Sequence, residues 1–126
     1  MQTTETQQKE PYHLFVDSLC KPGIDILVQM QPAEAHLVHM AMGVAGEAGE
    51  LLDAIKKAAI YRKPLDRENV LEECGDLLFY IQGVLNYYSV PMEEVIELNR
   101  LKLLKRYSEG KYSNTQATTR ADKQEN

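Results

Sequence analysis

Glu47 and Glu50 stand three residues apart in the run Gly43-Val44-Ala45-Gly46-Glu47-Ala48-Gly49-Glu50, and Glu73 and Asp76 repeat that spacing. Residues i and i+3 are neighbours on a helix surface, so each pair projects side by side from a helical segment. At about 100° per residue, Glu47 borders the apolar stripe beside Leu51 and Glu50 lies farther round. Glu73 and Asp76 are displaced from their own stripe in the same rotational sense. Antiparallel packing of the two stripes therefore brings both pairs to one side, whereas parallel packing separates them. Four carboxylates converging without counter-charge repel one another, and their pKa values rise. A hard divalent cation relieves that repulsion, and oxygen-only ligation points to Mg²⁺, with Mn²⁺ as a substitute.

Such spacings are common on solvated helix faces, so one pair alone carries little weight. Two pairs at matching offsets, one set among glycines, carry more. Gly43, Gly46 and Gly49 each weaken a helix by about 1 kcal/mol relative to Ala, which implies near approach by another backbone or a ligand. A di-iron bundle would need Glu-x-x-His on two helices. Only Glu10 and His13 have that spacing, and Pro11 interrupts them.

Other residues line up around the acidic pairs. His36 and His39 share the Gly43 flank of the first segment, and Tyr80, Gly83 and Tyr87 continue the Asp76 face of the second. Asn99, Lys102 and Arg106, three and four apart, form a polar and partly cationic stripe. Spacing alone makes it an ordinary solvated face; beside a metal cluster it suits a polyphosphate. Lys56, Lys57, Arg62 and Lys63 are further cationic candidates.

The elements that must hold these residues are helices. Ala33 to Ile60 contains no proline, and its apolar residues from Leu37 to Ala59 recur mostly at three- and four-residue steps. Asp66 is a good N-cap for a second such segment reaching Tyr88. Ser89-Val90-Pro91 closes it and opens a third, with Glu93 and Glu94 where the helix dipole favours them, ending near Tyr107 and Gly110. Tyr12 to Cys20 and Ile24 to Met30 read as short flanking helices around Lys21-Pro22-Gly23. No stretch alternates with period two. The expectation is an all-α antiparallel bundle of four to five helices, its connections short. Residues 1–11 read as a polar arm, 12–110 as the helical domain and 111–126 as a C-terminal tail.

The chain has 126 residues with 44% hydrophobic and 26% charged, one soluble domain's worth. A net charge of −5 speaks against nucleic acid as partner, and no apolar run suits a membrane span. Cys20 and Cys74 form no metal or disulfide framework, and no secretory signal is visible, so a cytosolic setting is expected. Two long helices with short flanks carry more apolar residues than a chain of this size buries alone, so a homo-dimer or homo-tetramer is expected.

The order of Gly43-x-x-x-Glu47-x-x-Glu50, then Glu72-Glu73-x-Gly75-Asp76, then Asn99-x-x-Lys102-x-x-x-Arg106-Tyr107 resembles the MazG-like nucleoside triphosphate pyrophosphohydrolases of the all-α NTP pyrophosphatase superfamily. The likeness runs from about Tyr12 to Lys123, and is nearest to small single-domain members often carried by phages, which places the chain in a host cytoplasm. It implies hydrolysis between the α- and β-phosphates, giving a nucleoside monophosphate and pyrophosphate. Glu47, Glu50, Glu73 and Asp76 match the family's Mg²⁺ ligands, with Glu47 also assigned to take the proton of the attacking water. Asn99, Lys102 and Arg106 match phosphate-side positions and Tyr80 one facing the nucleotide; His39 and Lys57 join them as substrate contacts. Many members open the first motif with two glutamates, and here the first is Gly46, which bears on the number of metal ions. Hydrolysis of another pyrophosphate compound, such as a guanosine alarmone, fits the same centre. A silent helical protein-binding module would have no need of converging carboxylates. Base and sugar preference are not written in these residues.

The tail divides the expectations. Polar composition alone reads 113–126 as disordered. Tyr112 offers a ring to dock, and Lys111 and Arg120 offer charge to an acidic cluster or a triphosphate, which favours a tail lying against the bundle.

Overall fold

A computed structural model describes residues 9–124; most of the polar arm, 1–8, and the last two residues lie outside them. Every element among the described residues is helical. The chain divides into two compact units, Met1–Ala35 and His36–Asn126.

In the first unit, α1 (Tyr12–Leu19) and α2 (Gly23–Gln29) each follow a proline, Pro11 and Pro22. A proline there lacks only an N–H the helix could not have used. α3 (Pro32–Ala59) starts the same way, and its Glu34 carboxylate accepts from the Gln31 N–H at 3.4 Å.

In the second unit, α3 is followed by α4 (Arg67–Tyr88) and α5 (Met92–Arg106). Asp66 caps α4 as its sequence predicts, its carboxylate accepting from the Asn69 N–H at 3.1 Å. Ser89 ends the helix in the left-handed region (φ 53°), and Pro91 starts α5 two residues later. The two long helices are antiparallel. Residues 36 and 40 meet 83, residue 43 meets 80, and 47 meets 73 and 76, so one number rises as the other falls. His36 Nε2 lies 2.9 Å from the Gly83 carbonyl, and Met40 packs on Gly83. Among the less exposed positions of α3, 37, 40, 44, 47, 51, 54 and 58 follow alternating three- and four-residue steps, with 43 and 53 beside them. Glu47 thus lies within the contact stripe rather than at its border.

The glycines of α3 differ in what they meet. A Cβ on Gly43 would collide with the Tyr80 ring, so the bare α-carbon is what lets Tyr80 approach. Around Gly46 and Gly49 nothing lies within 4 Å, and both are exposed. Gly46→Ala should therefore stabilise the chain by up to about 1 kcal/mol through helix propensity. Gly43→Ala gains the same propensity but forces Tyr80 aside, an overpacking cost of about 1–3 kcal/mol. Paired urea titrations of the two variants should give shifts of opposite sign.

Beyond α5 the chain turns at Gly110 (φ 74°) and forms a short helix, α6 (Asn114–Thr119), and one 3-10 turn (Ala121–Lys123). Ser113 caps α6, accepting from the Gln116 N–H at 3.0 Å. Both elements pack on α5. Composition misses this because part of the contact is an Arg106–Asp122 ion pair with an enclosed carboxylate, which apolar content does not register. Within the described residues only Met40 and Ala54 are buried, at 8% and 7% exposure, so the single chain encloses almost no core.

Candidate active site

The α3–α4 seam carries the carboxylates. One oxygen each from Glu47, Glu73 and Asp76 lies within 4.8 Å of the other two. Glu73 Oε2 is buried and has no hydrogen-bond partner. An orphaned carboxylate oxygen is costly in a folded chain, because its lost hydration is uncompensated. Glu73 is also held above the usual carboxylate range, first by a hydrogen bond shared with Glu47, then by burial, then by the charges of Glu47, Asp76 and Glu50. A cation among the oxygens would offset the repulsion and give the orphaned oxygen a partner.

The donor set fits a hard ion. Three carboxylate oxygens within 4.8 Å of one another are close enough for one cation to reach all three. All are carboxylate oxygens, which excludes a preference for soft metals. Glu50 stands apart from this group on an exposed position, though its charge reaches Glu73.

The predicted substrate residues fall into two sets. Tyr80 lies one turn from Asp76 against Gly43, and His39 meets its ring edge-on, with centroids 6.4 Å apart. Along α3, Gly43 is about 6 Å and His39 about 12 Å from the level of Glu47. These two side chains therefore continue the seam directly from the carboxylates.

The cations are placed differently. Lys57 forms a 3.0 Å ion pair with Asp53, one turn back on α3, and the pair is exposed. That partner was visible in the sequence as an i, i+4 pair. Asn99 and Lys102 are exposed on α5. Arg106 is bound to Asp122 through two parallel hydrogen bonds, Nε to Oδ1 at 2.8 Å and Nη2 to Oδ2 at 3.1 Å. Arg120 shares the same carboxylate, with Nε 3.3 Å from Oδ1 and Nη2 3.2 Å from Oδ2. The two guanidinium groups hold Asp122 far below the usual carboxylate range, Arg106 contributing first. No local pattern announces a pairing between a helix end and a residue in a polar tail.

A concavity of about 260 Å³ lies along the end of α5, lined by Leu103, Leu104, Tyr107 and Tyr112 with Arg100 and Lys111 at its sides. It gathers no carboxylate, so it holds no metal ligand of the kind found at the α3–α4 seam.

The chain is 30% identical to the Gene 37 protein of Mycobacterium phage L5 over 78 residues, which is 59% of this chain and 68% of that protein. No solved structure matches. Residues 36–110 match the family described as the MazG nucleotide pyrophosphohydrolase domain. That segment begins at the first residue of the second unit and holds both acidic pairs, Tyr80 and the whole of α5. With more than half of its length matched, the chain belongs to the MazG nucleotide pyrophosphohydrolase family.

Proposed function

We propose that this chain hydrolyses nucleoside or deoxynucleoside triphosphates to the monophosphate and pyrophosphate, controlling a nucleotide pool or clearing non-standard nucleotides. The observation that carries this reading is the orphaned Glu73 oxygen beside Glu47 and Asp76, a cluster whose repulsion and missing partner a cation would relieve. Glu47, Glu73 and Asp76 would hold Mg²⁺, or Mn²⁺ in its place, and Glu50 would complete the set from its exposed position. When bound, such an ion neutralises the phosphates, orients them for in-line attack and acidifies a water.

The chain's own residues divide the remaining work. Glu47 accepts the proton of the attacking water, its carboxylate standing in the cluster with Glu73 and Asp76. Tyr80 and His39 flank the nucleoside where it extends along the seam, with Tyr80 seated against Gly43. Asn99, Lys102 and Arg106 serve the phosphates from α5, and Lys57 adds charge past the first acidic pair. The working form is a homo-dimer or homo-tetramer, since the single chain leaves most of its large apolar side chains exposed. Nucleic acid and membrane have no part in this reading, and among the described residues no helix is long and apolar enough to cross a membrane. The phage relative supports a place in a host cytoplasm.

A panel of triphosphates and a guanosine alarmone, each with Mg²⁺, tests the reading through the product released. Pyrophosphate together with a monophosphate is expected from at least one triphosphate. Orthophosphate as sole product, or turnover of the alarmone alone, would overturn it.

A further inference from the structure

The folded tail does more than lie on α5. Gly110 turns the chain with φ 74°, and Tyr112 then packs its ring on Tyr107, with centroids 5.7 Å apart. The Tyr112 hydroxyl donates to the Asn114 side chain at 2.6 Å, and Asp122, held by Arg106, fastens the segment that follows. Between this tail and the Leu103, Leu104 and Tyr107 face of α5 lies the concavity of about 260 Å³. Its floor is apolar and its sides are cationic, Arg100 on the helix and Lys111 on the tail. Arg100 is paired with Glu97 at 3.4 Å on an exposed face, and Lys111 has no ion-pair partner among the described residues. A small-molecule pocket usually runs to ~300–1,000 Å³, so this smaller one suits the side chains of a protein segment better than a free cofactor.

The chain carries a segment of matching chemistry. α2 has 7 residues, whereas a lone helix needs ~12–15 to hold its shape in water. Ile24, Leu27 and Val28 form one stripe at i, i+3 and i+4 spacing, and Ile26 adds an apolar side beyond it. None of them is buried, and Leu27 and Val28 are 70% and 69% exposed. Asp25, three residues before Val28, is the only charge on the helix. A helix that is apolar on most sides is stable when other surfaces cover it. α1 has less need of cover, since His13 and Asp17, four residues apart, give it a polar side to leave in water. The concavity is as open in the single chain as α2 is, with Tyr112 at 69% exposure.

We propose that α2 of one copy docks in the α5–tail concavity of a second copy, with Ile24, Leu27 and Val28 on its floor and Asp25 in reach of Arg100 and Lys111. The mode is an apolar helix face laid in a groove, its charge answered at the rim. Charge complementarity selects the occupant: a segment bearing a single carboxylate among apolar side chains suits an apolar floor flanked by two cations. Both halves of the match stand on every chain. Two copies related by a two-fold axis therefore make the contact twice, and each contact covers side chains that the single chain leaves in water. The inference rests on the homo-oligomer of the functional reading and names a surface for it; it does not rest on the reaction catalysed.

Sedimentation equilibrium of the full-length protein with charge reversals tests it, since Asp25 and Lys111 are both exposed. Asp25→Lys or Lys111→Glu alone should raise the dissociation constant about tenfold, because an exposed attraction becomes a repulsion at two symmetry-related contacts. The double variant Asp25→Lys/Lys111→Glu should return to the wild-type value, which also checks that both substitutions leave the fold intact. An equimolar mixture of the two single variants should return to it as well. In a mixed dimer one contact is native, the other is fully reversed, and both attract. Rescue by the double variant without rescue on mixing would place the contact within one chain and overturn the second copy as occupant. A monomeric wild type, single variants that assemble like wild type, or weakening that neither the double variant nor the mixture restores would overturn the docking outright. Pyrophosphate release by a protein whose assembly ignores both charges leaves the hydrolase reading standing and sinks the docking. Assembly that follows the charge swap in a protein that hydrolyses no triphosphate does the reverse.

Discussion

Glu73→Gln is expected to melt at a higher temperature than the wild-type chain in metal-free buffer near neutral pH, and to release pyrophosphate about 10²–10³-fold more slowly, the usual cost of removing one preorganised electrostatic contact from an active site. Both effects come from the same oxygen. The Glu73 carboxyl titrates above its usual value of 4.5, first through its hydrogen bond with Glu47, then through burial and neighbouring charge. The folded chain therefore binds more protons than the unfolded chain between 4.5 and the raised value. The stability this group contributes is present below that window and is lost as the pH rises through it. At neutral pH the ionised side chain is a burden on the metal-free fold. A glutamine keeps the shape, donates to Glu47 and has no charge to bury, so the burden goes and the pH slope in that window flattens. The metal's benefit goes with it, because an amide holds a hard cation poorly. Scanning calorimetry from about pH 4 to 7, with and without Mg²⁺, should show a metal-dependent rise in midpoint for wild type and little for the variant. A Glu73→Gln chain that melts like wild type and hydrolyses at the wild-type rate would remove the carboxylates from the site.

Much of this arrangement could be read from single residues. Asp66 is a helix cap by type and position, and it makes the capping hydrogen bond. The short connection between the two long helices favours antiparallel packing, and with it the matching offsets of the two acidic pairs bring Glu47 to Glu73 and Asp76. Depth was not legible. A rotation angle places Glu73 relative to a stripe, but whether its second oxygen keeps water depends on how closely two helices approach. That approach is set by Gly43 under Tyr80 and Gly83 under Met40. Spacing also gave Glu50 the same standing as Glu47, though only the packed structure sets it apart. Arg106 shows the other limit. Its partner Asp122 lies beyond a turn, in a segment whose composition alone reads as unfolded, and charge pairing across such a distance leaves no periodic trace.

Full-length protein at micromolar concentration is expected to be a homo-oligomer, and Phe79→Asp or Leu101→Asp is expected to raise its dissociation constant by at least about a hundredfold. Phe79 is 67% exposed on α4 and Leu101 57% exposed on α5 in the single chain, with Leu71, Leu78, Leu98 and Leu104 also exposed on the same two helices. Apolar residues point from α5 in several directions, since Ile96, Leu98, Leu101 and Leu104 do not share one narrow stripe. A helix that is apolar on several sides is stable only when covered on several sides. Covering one such side chain contributes about 1.5–3 kcal/mol, and in a two-fold interface every residue counts twice. An aspartate removes that term on both subunits and adds a charge that must either lose its water or keep the subunits apart. Multi-angle light scattering of the wild type and both variants measures the effect. A wild-type chain that runs as a monomer at micromolar concentration would show instead that these side chains stay in water, and the assembly would have no basis.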